Sequence, residues 1–302
     1  MSYQTIPVIV IVFSAISFVL AVILPLAAII FAKIKYKMPL YPILFGAVTF
    51  VLFVLILETA ANNFLIGTFS LNTNIVAYIL YSLFAAGLFE ETGRLISFSI
   101  IERISKKPRT PLTGISYGFG HGGIESLLLV GMTMISNIAF AISVNSGAIY
   151  QGFEALDGPE KNFITNLVAS FTITPPMDFL MGGIERLIAI PAQLCFSVIM
   201  FYAVFAKRKI WLYPVAILAH MITNVPAMLY QTGVIENMTI IESITAFLVA
   251  GVIVFTVWVN DKFKGDLTQP AAVLSASEAD SPEPEVSESE ITVSTESEPE
   301  KE

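Results

Sequence analysis

Cysteine is nearly absent from this 302-residue chain: Cys195 stands alone, which excludes an intrachain disulfide and any Cys-based zinc site. Histidine is almost as scarce, with His121 and His220 only. Charge is thin as well. Asp, Glu, Lys and Arg make up 13% of the chain against 55% hydrophobic residues, and the mean hydropathy is +0.77. That balance excludes a soluble domain with a large core and indicates an all-α, polytopic membrane helix bundle. No nucleotide-binding loop or dinucleotide-binding glycine fingerprint occurs in a suitable context. Nor is there a pair of interrupted hydrophobic segments in corresponding halves, the usual pointer to a transporter.

The net charge of −8 misleads about the folded surface. From Asp266 onward there are eleven acidic residues and one Lys, which leaves +2 for the chain from Met1 to Gly265. Rich in Ser, Glu and Pro, that tail cannot bury enough apolar area to fold. The expected organisation is therefore an integral membrane domain over residues 1–264 and an acidic, disordered, cytoplasmic tail over 265–302 that acts as a solubilising appendage.

Seven apolar stretches are long enough to cross a bilayer: Pro7 to Ala32, Leu40 to Leu57, Ile75 to Ile101, Pro111 to Val144, Phe179 to Ala206, Trp211 to Tyr230 and Ile240 to Val259. Lys33, Lys35 and Lys37 follow the first; Arg103, Lys106, Lys107 and Arg109 the third; Lys207, Arg208 and Lys209 the fifth; Lys262 and Lys264 the seventh. The intervening loops are nearly free of cations. This alternation predicts an amino terminus outside and a carboxyl terminus in the cytoplasm of a multi-pass cell-membrane protein, and it accounts for the basic clusters without nucleic acid. The longest connection, Asn145 to Asp178, carries Glu154, Asp157, Glu160 and Asp178 against Lys161. Its Phe163 to Ile173 portion is too short to span. It reads as an interfacial or re-entrant helix and a candidate cover for an active site.

Within the third span stand Glu90, Glu91 and Arg94, where charge is costly and usually marks a reaction centre or an ion path. Arg94 falls one helical turn after both acids and can neutralise one of them. The other is left to act as a general base. At ~1.5 Å of rise per residue these groups lie roughly 15–20 Å from the basic side. His121 and His220 reach roughly the same depth on two other spans, with Glu125 and Asn224 one turn beyond them. Gln193 on the fifth span is at a depth to line the same cavity. Gly118, Gly120, Gly122 and Gly123 surround His121; small residues let a neighbouring helix approach closely. His220 and Asn224 share one helix face, and both can donate hydrogen bonds to an oxyanion. Glu185 and Arg186 fall nearer the outer boundary, as a structural pair or a gate. Glu58 and Asp178 read as solvated helix ends.

Glu-Glu-x-x-Arg, a Gly-flanked His on the next span and His-x-x-x-Asn on a later one resemble the glutamic-type intramembrane proteases. These comprise the CAAX-processing enzymes, the PrsW proteases and, most closely, the YhfC-like bacterial family. The resemblance covers Ala85 to Pro226. It implies that Glu90 and His121 activate a water, that His220 and Asn224 form the oxyanion hole, and that the substrate is a membrane protein or peptide. One departure stands out. The CAAX-type pattern has three residues between the Glu pair and Arg, whereas only Thr92 and Gly93 intervene here. Arg94 is thus better placed to pair with Glu90, and either Glu90 or Glu91 remains open as the base.

No cofactor is expected; the alternative is zinc held by His121, His220 and Glu90, three ligands with an open position. A proton-coupled transport path and a non-catalytic scaffold or immunity-type protein are the competing functions. The expected topology has a direct check. A reporter active only in the cytoplasm gives signal when fused after Lys37, Lys107, Lys209 or Lys264 and none after Asn72, Ser146 or Gly233. Signal on both sets contradicts it.

Overall fold

Proline and asparagine set the helix ends in the computed structural model, which describes residues 5–151, 153 and 156–270. Asn74 and Asn237 accept hydrogen bonds from the first free backbone N–H groups of the helices they precede, the satisfaction that a helix start requires. Proline occupies the first turn at Pro42, Pro111, Pro159 and Pro176, where a missing N–H costs nothing. The resulting long helices are α1 (Val8–Tyr36), α2 (Tyr41–Phe69), α3 (Ile75–Ile104), α4 (Pro111–Asn145), α5 (Gly158–Ile173), α6 (Pro176–Phe205), α7 (Leu212–Gln231) and α8 (Met238–Phe263). All but α5 are long and apolar enough to cross a membrane. The protein is an all-α, multi-pass membrane protein, and no strand occurs among the described residues.

Internal proline is accommodated by a neighbour. Pro25 in α1 has no N–H to offer the Ala21 carbonyl; the Ser126 hydroxyl of α4 donates to that oxygen at 2.6 Å instead. The helix widens to π geometry just before, over Val19–Ile23.

Helix α6 is the centre of the bundle. It is the most buried of the spans, with Phe196, Ile199, Phe201 and Tyr202 sealed among α3, α4, α7 and α8. Helix α4 is pressed between α6 and α2. A Cβ at Gly118 would lie 2.8 Å from the Leu194 Cα on one side. One at Gly120 would overlap the Ile43 carbonyl on the other. Glycine is what allows both neighbours within backbone contact, and this carries His121 to the middle of the molecule. Outward-facing side chains such as Leu44, Phe247 and Val254 are exposed apolar surface, as lipid contact requires.

Two boundaries differ from the sequence expectation. Helix α2 does not end near Leu57 but continues to Phe69, so Glu58 sits inside it rather than at a solvated end. Helix α5 packs Val168 and Phe171 against Ile6, Val10, Ala141 and Val144, at the ends of α1 and α4. No residue of α5 lines the central cavity described below, so it is not a cover for it.

The described residues fall into two units. Of these, the helical unit takes residues 5–105 and the described residues from Arg109 to Thr268, and within it the strand-like contact of Ala206 with Leu267 ties the end of α8 to the end of α6. Lys106–Pro108 and residues 269–270 form the second. Glu154 of the acidic connection and the tail beyond Pro270 lie outside the described residues.

Gly120→Ala is expected to cost about 1–3 kcal/mol, the usual penalty for overpacking, and to lower the melting temperature in detergent. Gly123→Ala, whose Cβ would meet nothing within 4 Å, leaves it unchanged. Equal behaviour of the two contradicts the close α2–α4 contact.

Candidate active site

Glu90 and Glu91 are adjacent on α3, so their side chains leave the helix about 100° apart and meet different surroundings. Glu90 is 7% exposed and lines a cavity of about 600 Å³; Glu91 is 0% exposed and lies behind the wall. His121 Nε2 of α4 meets Glu90 Oε2 at 3.0 Å. His220 Nδ1 of α7 meets Glu91 Oε1 at 2.9 Å, and its Nε2 faces Glu90 Oε1 at 3.6 Å. Three helices thus bring both histidines of the chain onto one pair of carboxylates.

Arg94, fully buried, holds the pair together. Its Nη1 donates to Glu91 Oε1, while its Nη2 donates to Glu90 Oε2 at 3.2 Å and to Gln193 Oε1. Arg94 is thus shared by the two carboxylates rather than given to Glu90 alone. Gln193 also donates to Glu90 Oε2 at 3.4 Å and to Glu125 Oε2 at 2.7 Å. Glu125 accepts from Arg186 Nη1 at 2.8 Å, and Arg186 is clamped in turn by both oxygens of Glu185. A continuous polar chain therefore runs from Glu91 through Arg94, Gln193, Glu125 and Arg186 to Glu185. Glu185 and Arg186, expected as a separate boundary pair, are its far end.

Aromatic rings fix the imidazoles. Phe196 stacks on His220 with centroids 4.8 Å apart and planes 6° apart. Phe50 meets His121 edge-on at 5.3 Å, and Tyr117 stacks on its other side. A carboxylate only accepts hydrogen bonds, so the Glu91 contact places a proton on His220 Nδ1 and leaves Nε2 turned to Glu90. By the same logic His121 donates from Nε2, and its Nδ1 is buried with no partner among the described residues. Asn224 lines the cavity one turn beyond His220, and among the described residues its carboxamide makes no hydrogen bond. His121, by contrast, does not reach the cavity surface; it stands behind Glu90.

Over residues 19–245 the chain matches a family model described as YhfC intramembrane metalloprotease. It belongs to the YhfC family. A relative from Bacillus subtilis (strain 168), described as an uncharacterized membrane protein YhfC, is 34% identical over 244 residues, which is 80% of this chain and 92% of that one. No solved structure matches. Membership in the YhfC family is what the Glu90, His121 and His220 motifs suggested, and the matched stretch contains all of them.

The family description raises a metal, and the donor set here suits zinc: two imidazole nitrogens and a carboxylate are a catalytic zinc triad by type. His220 Nε2 and Glu90 Oε1, both acceptors at 3.6 Å, call for a bridging proton, water or cation. Glu91 on Nδ1 is the outer-shell carboxylate that a metal-bound histidine needs. Their present arrangement in this YhfC-family site is nonetheless a hydrogen-bonded one. Among the described residues no three of His, Cys, Asp and Glu are spaced as a preformed metal cage.

Glu58 and Glu242 also line the cavity. In the sequence the first reads as a solvated helix end because the polar run Glu58, Asn62, Asn63 closes the apolar stretch. The signal for the second is a lone Glu just inside an apolar span. Arg94→Met is expected to destabilise the protein by about 3–5 kcal/mol, since two buried carboxylates lose their cation. The double variant Arg94→Met with Glu91→Gln recovers part of that loss in denaturant unfolding. No recovery contradicts the charge pairing.

Proposed function

We propose that this YhfC-family protein is an intramembrane endopeptidase that hydrolyses peptide bonds of membrane-associated substrates, with Glu90 as the general base. The observation that carries this is the position of Glu90: at the surface of a cavity with room for water, held from behind by His121 and facing His220 Nε2 at 3.6 Å. Glu90 takes a proton from that water as its oxygen bonds to the peptide carbonyl carbon. The carbonyl oxygen becomes an oxyanion, which the Asn224 amide stabilises by donating a hydrogen bond, while His220, its Nδ1 proton held by Glu91, walls the same side of the site. Glu90 then returns the proton to the departing nitrogen as the C–N bond breaks. His121 and Arg94 orient Glu90 and take no proton. Glu125 and Gln193 hold Arg94 and the cavity wall in register.

If the protein carries zinc, His121, His220 and Glu90 would hold it, and the ion would supply a Lewis acid for the carbonyl and an acidic bound water. The polar chain from Glu91 to Glu185 also favours a second function, a proton-coupled transport path. It predicts substrate-dependent proton flux and no cleaved product.

In proteoliposomes with a synthetic membrane-spanning peptide, Glu90→Gln is expected to lower kcat by about 10²–10⁴-fold, and Asn224→Ala by about 10²–10³-fold. Both should keep the wild-type melting temperature. Full activity in Glu90→Gln excludes the mechanism. Loss of wild-type activity on chelation, restored by zinc, assigns the metal form.

A further inference from the structure

The cavity that Glu90 lines is a chamber walled also by Glu58 of α2, Glu125 of α4, Glu185 and Arg186 of α6 and Glu242 of α8. Among the described residues its one Lys or Arg is Arg186, which is already ion-paired: Nη1 donates to Glu125, and Nε and Nη2 donate to Glu185. Glu58 Oε1 accepts only a long 3.4 Å bond from Asn62, and Glu58 Oε2 is buried without a partner. Glu242 is 7% exposed, and its Oε2 is likewise buried and unpartnered. Among the described residues neither acid has an ion-pair partner.

As ions, two unpaired acids inside a membrane bundle are costly; they are neutralised by protonation or balanced by a donor that arrives from elsewhere. Hard cations such as calcium need six or more oxygens around them, and among the described residues no cluster of three metal-binding groups exists. A cavity of about 600 Å³ is far larger than an ion requires and lies in the range that holds a ligand of several residues. A lysine or arginine side chain of a peptide fits both the donor need and the space, with a long apolar stem and three to five N–H donors at its end.

On the peptidase reading above, we infer that the chamber is a specificity subsite that selects a basic side chain of the substrate, with Glu242 as the primary contact and Glu58 as the second. The substrate class is then membrane-associated peptides carrying Lys or Arg near the hydrolysed bond. Neither acid touches the reacting atoms; both set which segment reaches Glu90.

Binding separates this from catalysis. Full-length Glu90→Gln in nanodiscs is titrated with fluorescent Leu/Ala peptides in which one lysine is moved stepwise along the segment, each paired with a norleucine control. At one or two positions the lysine peptide is expected to bind at least 10-fold more tightly. Glu242→Gln on that background reduces the ratio below about 3-fold, and Glu58→Gln reduces it partially. Equal binding of lysine and norleucine peptides at every position overturns the inference without any change at Glu58 or Glu242, as does a preference that survives the Glu242→Gln/Glu58→Gln double change. Lysine-selective binding with no cleavage by the wild type sinks the hydrolase instead and leaves the subsite standing.

Discussion

A guanidinium with no exposed surface, in the middle of a membrane bundle, is the constraint on which this structure turns. Arg94 cannot shed its charge, so the fold must surround it with acceptors. It does so from two helices: Glu90 and Glu91 of its own helix and Gln193 of α6. Those acceptors are then fixed points for the histidines. His121 comes in on α4, whose glycines let it lie between α2 and α6, and His220 on α7. The arrangement is a set of helices locked by one buried cation, and the cavity forms on the side that the cation does not fill.

That geometry separates two chemically identical groups. Glu91 gives one oxygen to both Arg94 and His220 and has no route to the cavity. Glu90 shares Arg94, Gln193 and His121 yet keeps a face toward open space. A base and a charge-balancing acid thus arise from neighbouring residues by rotation about one helix axis. The stacking of Phe196 on His220 and of Tyr117 on His121 restrains the rings, which is the preorganisation that a hydrolytic site needs.

Much of this was legible in the sequence. The seven spans follow from hydropathy, and the shared depth of Glu90, His121 and His220 follows from the fixed rise of a helix. The glycines around His121 announced close packing. What could not be read was orientation about each axis: which glutamate faces the cavity, that Arg94 is shared by both, and that His121 stands behind Glu90 rather than beside it. Depth counting locates a layer and says nothing of azimuth. Glu58 was misplaced because a polar residue ends a hydropathy window even where the helix runs on. The side on which α5 docks depends on Val168 and Phe171 meeting Ile6 and Val144, contacts between segments far apart in the chain. Glu242 shows the converse: a lone acid in an apolar span was informative, and its meaning appeared only when the cavity did.

The most direct test of the central claim, that Glu90 activates water for peptide hydrolysis inside the membrane, is mass spectrometry of membrane peptides from cells carrying the wild-type protein or Glu90→Gln at equal abundance. Wild-type cells should contain fragments with new termini at or within a bilayer-spanning segment that are missing from the variant. Identical sets of termini in the two, with both proteins folded in the membrane, would contradict it.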